Sequence, residues 1–173
     1  MCRKSLLVLL VAVLILLAVG IAQGRFDPAR DPALLGWWSF DEGPGTIAAD
    51  GSGNGNDGTL NGDPLWVPGV YGTALQFDGQ NAYVGTGKSL LNNLTGFTMA
   101  GWVSAGNTGV YSSLFGQNDL IEFGFTTESG GQLGTWMAGN GWAFVGANYG
   151  FTYPSWHHLV LAGDETRIAL YID

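Results

Sequence analysis

Cysteine is nearly absent from this 173-residue chain, and Cys2 is the single example. It precedes the apolar run Leu6 to Val19, so it is not placed to become the lipid-modified cysteine that follows such a run. It also lies in a segment expected to be removed. The rest of the chain has no disulfide, and its stability must come from a core, with or without help from a metal. Basic residues are scarce too: 6 Lys and Arg stand against 14 Asp and Glu. Arg3 and Lys4 fall in the leader, which leaves Arg25, Arg30, Lys88 and Arg167 for everything else. A surface of that sign repels phosphate backbones and anionic lipid. Nucleic acid is therefore an unfavourable partner, whereas divalent cations and neutral polymers are compatible ones. Histidine is limited to His157 and His158. As neighbours on a strand they point to opposite faces, which leaves no positioned base for Ser–His–Asp chemistry and too few ligands for zinc. Helical periodicity is missing after residue 22, since glycine interrupts every apolar i, i+3, i+4, i+7 set.

What is present divides the chain into three. Residues 1–22 have a charged start, an apolar middle and small residues Gly20 and Ala22 at the end, the layout of a cleavable signal peptide. The alternative is an uncleaved anchor, although the run is shorter than the ~20 residues that usually span a bilayer. Both readings put the remainder outside the cytoplasm, secreted or at the cell surface, with no membrane insertion beyond the leader. Residues 23–35, with Pro28 and Pro32, read as an extended lead-in. Residues 36–173 form one domain.

Within that domain, short apolar or aromatic runs are separated by Gly, Asn, Asp and Pro. They are GWWSF at 36–40, ALQF at 74–77, AYVG at 82–85, FTMAGWV at 97–103, SLFG at 113–116, LIEFGF at 120–125, QLGTWM at 132–137, WAFVGA at 142–147, WHHLVLA at 156–162 and RIALYI at 167–172. Many short strands with turn residues between them indicate an all-β antiparallel sandwich or barrel. FTMAGWV and WHHLVLA, apolar on each face, are expected to be central strands. GWWSF is expected to be the first strand, with one edge unpaired.

The stretch DGSGNGNDGTLNGD, Asp50 to Asp63, is the most unusual in composition. Gly53, Gly55 and Gly58 satisfy G-x-G-x-x-G, but Pro64 and Pro68 preclude the helix that a nucleotide loop needs. Gly87-Lys88-Ser89 fails as a phosphate loop for the same lack of a helix, and because position 82 is alanine. Calcium fits the composition better. Asp50, Ser52, Asn54 and Asn56 alternate oxygen-bearing side chains with glycines, as in the first half of an EF-hand loop. The closing position, however, is Asn61 rather than a bidentate glutamate. The competing reading is a solvated turn in which Asn and Gly serve only to reach positive φ.

Catalytic constellations are thin. Asp119 and Glu122 are a carboxylate pair close in sequence, but three apart on a strand they would face opposite sides. Asp164 and Glu165 read as hairpin-turn residues. With no site, no enzyme activity is expected. Seven tryptophans suggest sugar stacking. Trp37, Trp38, Trp102 and Trp156 lie inside strand runs, and at least half are expected to be core. Trp136, Trp142, Tyr149 and Tyr153 flank glycine-rich turns and are the candidates for a ligand platform. Asn93-Leu94-Thr95 is a glycosylation sequon, meaningful only in a eukaryotic secretory host.

The ordered blocks GWWSFDEGPGTIAADGSGNGNDGTL, ALQFDGQNAYV, FTMAGWV and WHHLVLAGDETRIALYID resemble successive strands of the laminin-G-like jelly roll, the concanavalin A-like lectin/glucanase fold. The resemblance spans about 36–173. It implies two antiparallel sheets packed face to face. It also implies a non-catalytic binding module for a glycan or an extracellular protein, often calcium-supported and often joined to further modules. It places Asp41 and Glu42, beside the loop bearing Asp50, Asn54 and Asn56, near a frequent metal site. The family pattern continues past LYID with a closing strand, so the domain is read as C-terminally incomplete. The Glu-x-Asp-x-x-Glu strand of the glucanases is missing, which leaves a glycoside hydrolase fragment as the weakest alternative. A structural or adhesive spacer in a larger envelope protein is the stronger one.

Overall fold

The computed structural model describes residues 27–105, 112–125, 132–139, 141–148 and 154–173, with the backbone alone for 141–148. Among these residues twelve strands follow in chain order: β1 Ile47–Ala48, β2 Gly58–Asn61, β3 Leu65–Pro68, β4 Thr73–Gln76, β5 Tyr83–Gly85, β6 Gly96–Val103, β7 Ser112–Gln117, β8 Ile121–Phe125, β9 Gln132–Met137, β10 Gly141–Asn148, β11 His157–Asp164 and β12 Ile168–Ile172. All their pairings are antiparallel. The described residues contain no α-helix, and none of their helices is long and apolar enough to cross a membrane. The all-β antiparallel sandwich is the architecture found, consistent with a jelly roll.

Two sheets enclose the core. One is the meander β10-β9-β8-β7 and the other is ordered β12-β11-β6. Their inner faces meet at Phe123, Phe125, Leu133, Leu159 and Leu161, with Phe97, Met99, Phe115, Ile168 and Leu170 packed around them. Strand alternation explains the arrangement. On β6, Phe97, Met99, Gly101 and Val103 turn inward, while Thr98, Ala100 and Trp102 turn outward. Gly101 is required at its place because a Cβ there would sit 2.8 Å from the Phe115 ring.

Several expectations need correction. Strand β11 is central, but β6 stands at the edge of its sheet, and its outward residues are exposed rather than buried. GWWSF forms no strand; Trp38 makes a single antiparallel bridge with Asp50, and Phe40 takes φ +58°, which breaks the extended run. The lead-in is not wholly extended. Pro28–Arg30 form a 3-10 turn capped by Asp27, whose side chain accepts from the Ala29 N–H, and proline suits the first position of such a turn. The second half of the Asp50–Asp63 stretch is strand β2, which lies between β1 and β5.

Candidate functional site

Asp50 organises the first half of its loop. Its Oδ1 accepts from the Trp37 N–H at 3.0 Å and the Ser52 N–H at 2.9 Å. Its Oδ2 accepts from the Ser52 hydroxyl at 2.8 Å and the Asn56 N–H at 2.9 Å. Burial alone would raise the Asp50 pKa, but the Ser52 hydroxyl and the N–H groups of Trp37, Asn56 and Ser52 outweigh it and hold the carboxyl at about 2. Asn54 and Asn56 each donate through Nδ2 at 2.7 Å, to the Leu34 and Leu35 carbonyls respectively. The Trp38 indole donates to the Asn56 carbonyl at 2.9 Å. Three of the sequence-selected metal candidates thus lie together, stitching the lead-in to the domain.

The other two lie apart from this knot in their bonding. Asp41 Oδ1 accepts from the Thr73 N–H at 2.9 Å, next to the bond that the Thr73 hydroxyl donates to the Phe40 carbonyl. Glu42 is exposed. Among the described residues, no group of three or more His, Cys, Asp or Glu side chains could hold a metal ion. The calcium that the family resemblance implies does not fit this donor set. Calcium needs 6–8 oxygens, whereas both Asp50 oxygens are saturated by donors from the chain itself.

The carboxylate pair Asp119 and Glu122 does not face across a cleft. Asp119 sits in the β7–β8 turn at φ +60°, and its N–H donates to Glu122 Oε1 at 3.4 Å. Asp164 does cap the β11–β12 hairpin, its Oδ1 accepting from the Thr166 hydroxyl and from the Thr166 and Arg167 N–H groups. No catalytic arrangement emerges from these residues.

The aromatic surface lies elsewhere than expected. Trp136 is half-buried on β9, opposite Glu122 on β8 and Trp142 on β10 in the ladder. The side chain of Trp142 lies outside the described residues, as do Tyr149 and Tyr153. On the outer face of the β12-β11-β6 sheet, Trp102 is 44% exposed and its ring centroid is 5.2 Å from that of its register partner His158. Tyr71, in the β3–β4 turn and 77% exposed, meets Trp102 edge-on at 6.4 Å. One row along, Ala100, Val160 and Tyr171 lie side by side, with Tyr171 60% exposed. Thr98, Ala162 and Ala169 form the next row. Trp102 and Tyr171 are thus two strands and one row apart, roughly 12 Å at ordinary strand spacings, with a floor of small side chains between. Asp173, whose N–H donates to the His158 carbonyl and whose Oδ1 accepts from the His158 N–H, brings one carboxylate to the end of the Trp102–His158 row, and the other two rows hold no Asp, Glu, Lys or Arg.

The histidines divide as alternation requires. His158 is on this outer face, and His157 turns inward, its Nδ1 2.6 Å from Asp173 Oδ2. That contact, followed by the His158 N–H, holds the Asp173 carboxyl below its ordinary value. The alternation Thr98, Ala100, Trp102 against Phe97, Met99, Val103 was the signal for an outward Trp102. It is hidden because alanine and tryptophan both count as apolar.

The family model described as the concanavalin A-like lectin/glucanases superfamily, of laminin G type, matches residues 78–173, more than half of the chain. No curated protein and no solved structure matches it. Laminin G-like domains are in general non-catalytic modules that bind extracellular ligands.

Proposed function

The chain belongs to the concanavalin A-like lectin/glucanase superfamily, and from that premise we propose that it is a secreted carbohydrate-binding module whose ligand lies across the outer face of the β12-β11-β6 sheet. The observation that carries this is the exposed Tyr71–Trp102–His158 cluster, with Tyr171 across a floor of Ala100 and Val160. Aromatic faces stack on the C–H faces of pyranose rings, and rings backed by neighbours are already oriented. These rows carry no Lys or Arg, and their one charged side chain is the Asp173 carboxylate beside His158, on a chain of net charge −8, which favours a neutral glycan over an acidic one. Residues 1–22 serve as the export leader in this reading.

Binding of the full chain to immobilised neutral polysaccharides, followed on Trp102→Ala, tests it. Loss of a central tryptophan is expected to weaken binding by about 1–2 kcal/mol, roughly 5- to 30-fold. The unfolding midpoint should change little, because Trp102 is exposed. Trp136→Ala should leave affinity unchanged. Binding lost with Trp136 and retained without Trp102 would move the site to the other sheet. No binding to any glycan would favour a protein ligand or an adhesive spacer.

A further inference from the structure

The glycine turn at the centre of the Asp50 loop presents two outward oxygens, the Gly55 carbonyl and Asn56 Oδ1. Both are already occupied by a cation belonging to the chain. Lys88 Nζ donates to the Gly55 carbonyl at 2.6 Å and to Asn56 Oδ1 at 2.9 Å. Lys88 comes from the β5–β6 connection, where Gly87 turns at φ +64° and the Lys88 N–H donates to the Thr86 hydroxyl at 3.3 Å. We infer that the Lys88 ammonium replaces calcium in this loop: it neutralises the turn from within, and the loop is built to fold without metal.

The donor count supports this. A carboxylate offers about four acceptor positions, and Asp50 has filled four, from Trp37, Ser52 twice and Asn56. Opening them to a metal would strip partners from three backbone N–H groups. Asn56 is nearly buried at 6% exposure, and its amide is used at both ends, Nδ2 on the Leu35 carbonyl and Oδ1 on Lys88. An ammonium supplies three donors and no acceptors, which matches the oxygens left over. Calcium takes 6–8 oxygens, and in this turn the Asp50 carboxylate, the Gly55 carbonyl and Asn56 Oδ1 are already committed to donors of the chain. The inference is independent of the glycan reading, since the loop contributes none of the outer-face residues.

Thermal unfolding of the full chain in millimolar calcium chloride and in chelator tests it, with Lys88→Met keeping the aliphatic stem and removing the charge. The native midpoint is expected to be the same in both buffers, and that of Lys88→Met to fall by about 2–4 °C in chelator. Recovery of the variant by calcium would also support the inference, because the ion would then be filling the place of the ammonium. A native midpoint raised by calcium, or a variant midpoint equal to the native one in chelator, overturns it. If the variant does not fold, the native chain suffices. In an NMR titration with calcium chloride the Lys88 Nζ and Asn56 side-chain resonances should stay in place, and their displacement at millimolar calcium overturns the inference.

Discussion

Phe123→Ala is expected to destabilise the protein by about 3–5 kcal/mol, a large part of the 5–15 kcal/mol that a domain usually has. Phe123 is fully buried at the junction of the two sheets, with its ring 6.1 Å from that of Phe115 and nearly parallel to it. Truncation removes the transfer energy of the ring and leaves a cavity bounded by both sheets, which cannot close without bending one of them. Its cross-strand neighbour Thr135 is also fully buried, and the Thr135 hydroxyl has no hydrogen-bond partner among the described residues. Thr135→Val, nearly the same shape, should therefore raise stability by about 1 kcal/mol. Urea denaturation of both variants checks the pair. A cost below about 1 kcal/mol for Phe123→Ala would mean that the two inner faces do not share one core.

The second large effect concerns Asp50. Asp50→Ala should cost about 2–4 kcal/mol, because it strands the Trp37, Ser52 and Asn56 N–H groups together with the Ser52 hydroxyl, in a loop only partly open to water. The same carboxylate gives a signature in acid. Its pKa is held at about 2 in the fold, below its ordinary value of 3.8. A depressed carboxyl contributes stability that is fully present above the unfolded value and lost as pH falls through the folded one. The native protein should lose this contribution between about pH 4 and pH 2, an effect of about 1 kcal/mol after discounting for solvent screening. The difference between the native and Asp50→Ala stability curves isolates it, since the depressed carboxyls of Asp78, Asp164 and Asp173 titrate in both. A constant difference from pH 6 to pH 2 would show that the four hydrogen bonds do not hold in solution.

Strands from β4 onward were legible in the sequence because each couples a period-2 or aromatic run to a glycine- or Asx-rich turn, as in QLGTWM or RIALYI. The short strands β1, β2 and β3 were not. The run GTLN carries one strongly apolar residue, and β3 ends in Pro68, so neither presents an alternating face long enough to read. GWWSF misled in the opposite direction, since the Trp37 backbone N–H and the Trp38 indole donate to the Asp50 loop and the run joins no ladder. The loop was recognised as special for its oxygens. That those oxygens would be spent on the chain itself depends on Trp37 and Lys88, which are distant in sequence and carry no local mark. The outer-face platform suffered similarly. Tyr71 reaches Trp102 only because the β3–β4 turn lies beside the β6 edge, a tertiary relation that periodicity does not encode.

The ladder between β6 and β11 joins Val103 to His157 and Gly96 to Asp164, and the whole meander from β7 to β10 lies between them in the chain. Hairpins within the meander close short loops, whereas this ladder must close a long one before its contacts repay the lost chain entropy. The meander can therefore form early from neighbouring contacts, and the joining of β6 to β11 is the slow event that completes the core. Until then Leu159 and Leu161 have no first sheet to seal, and the inner face of the meander stays open to water. The time spent with that face open is set by sequence separation and not by the strength of any one contact, and it is during that interval, more than in the finished fold, that the protein is exposed to self-association.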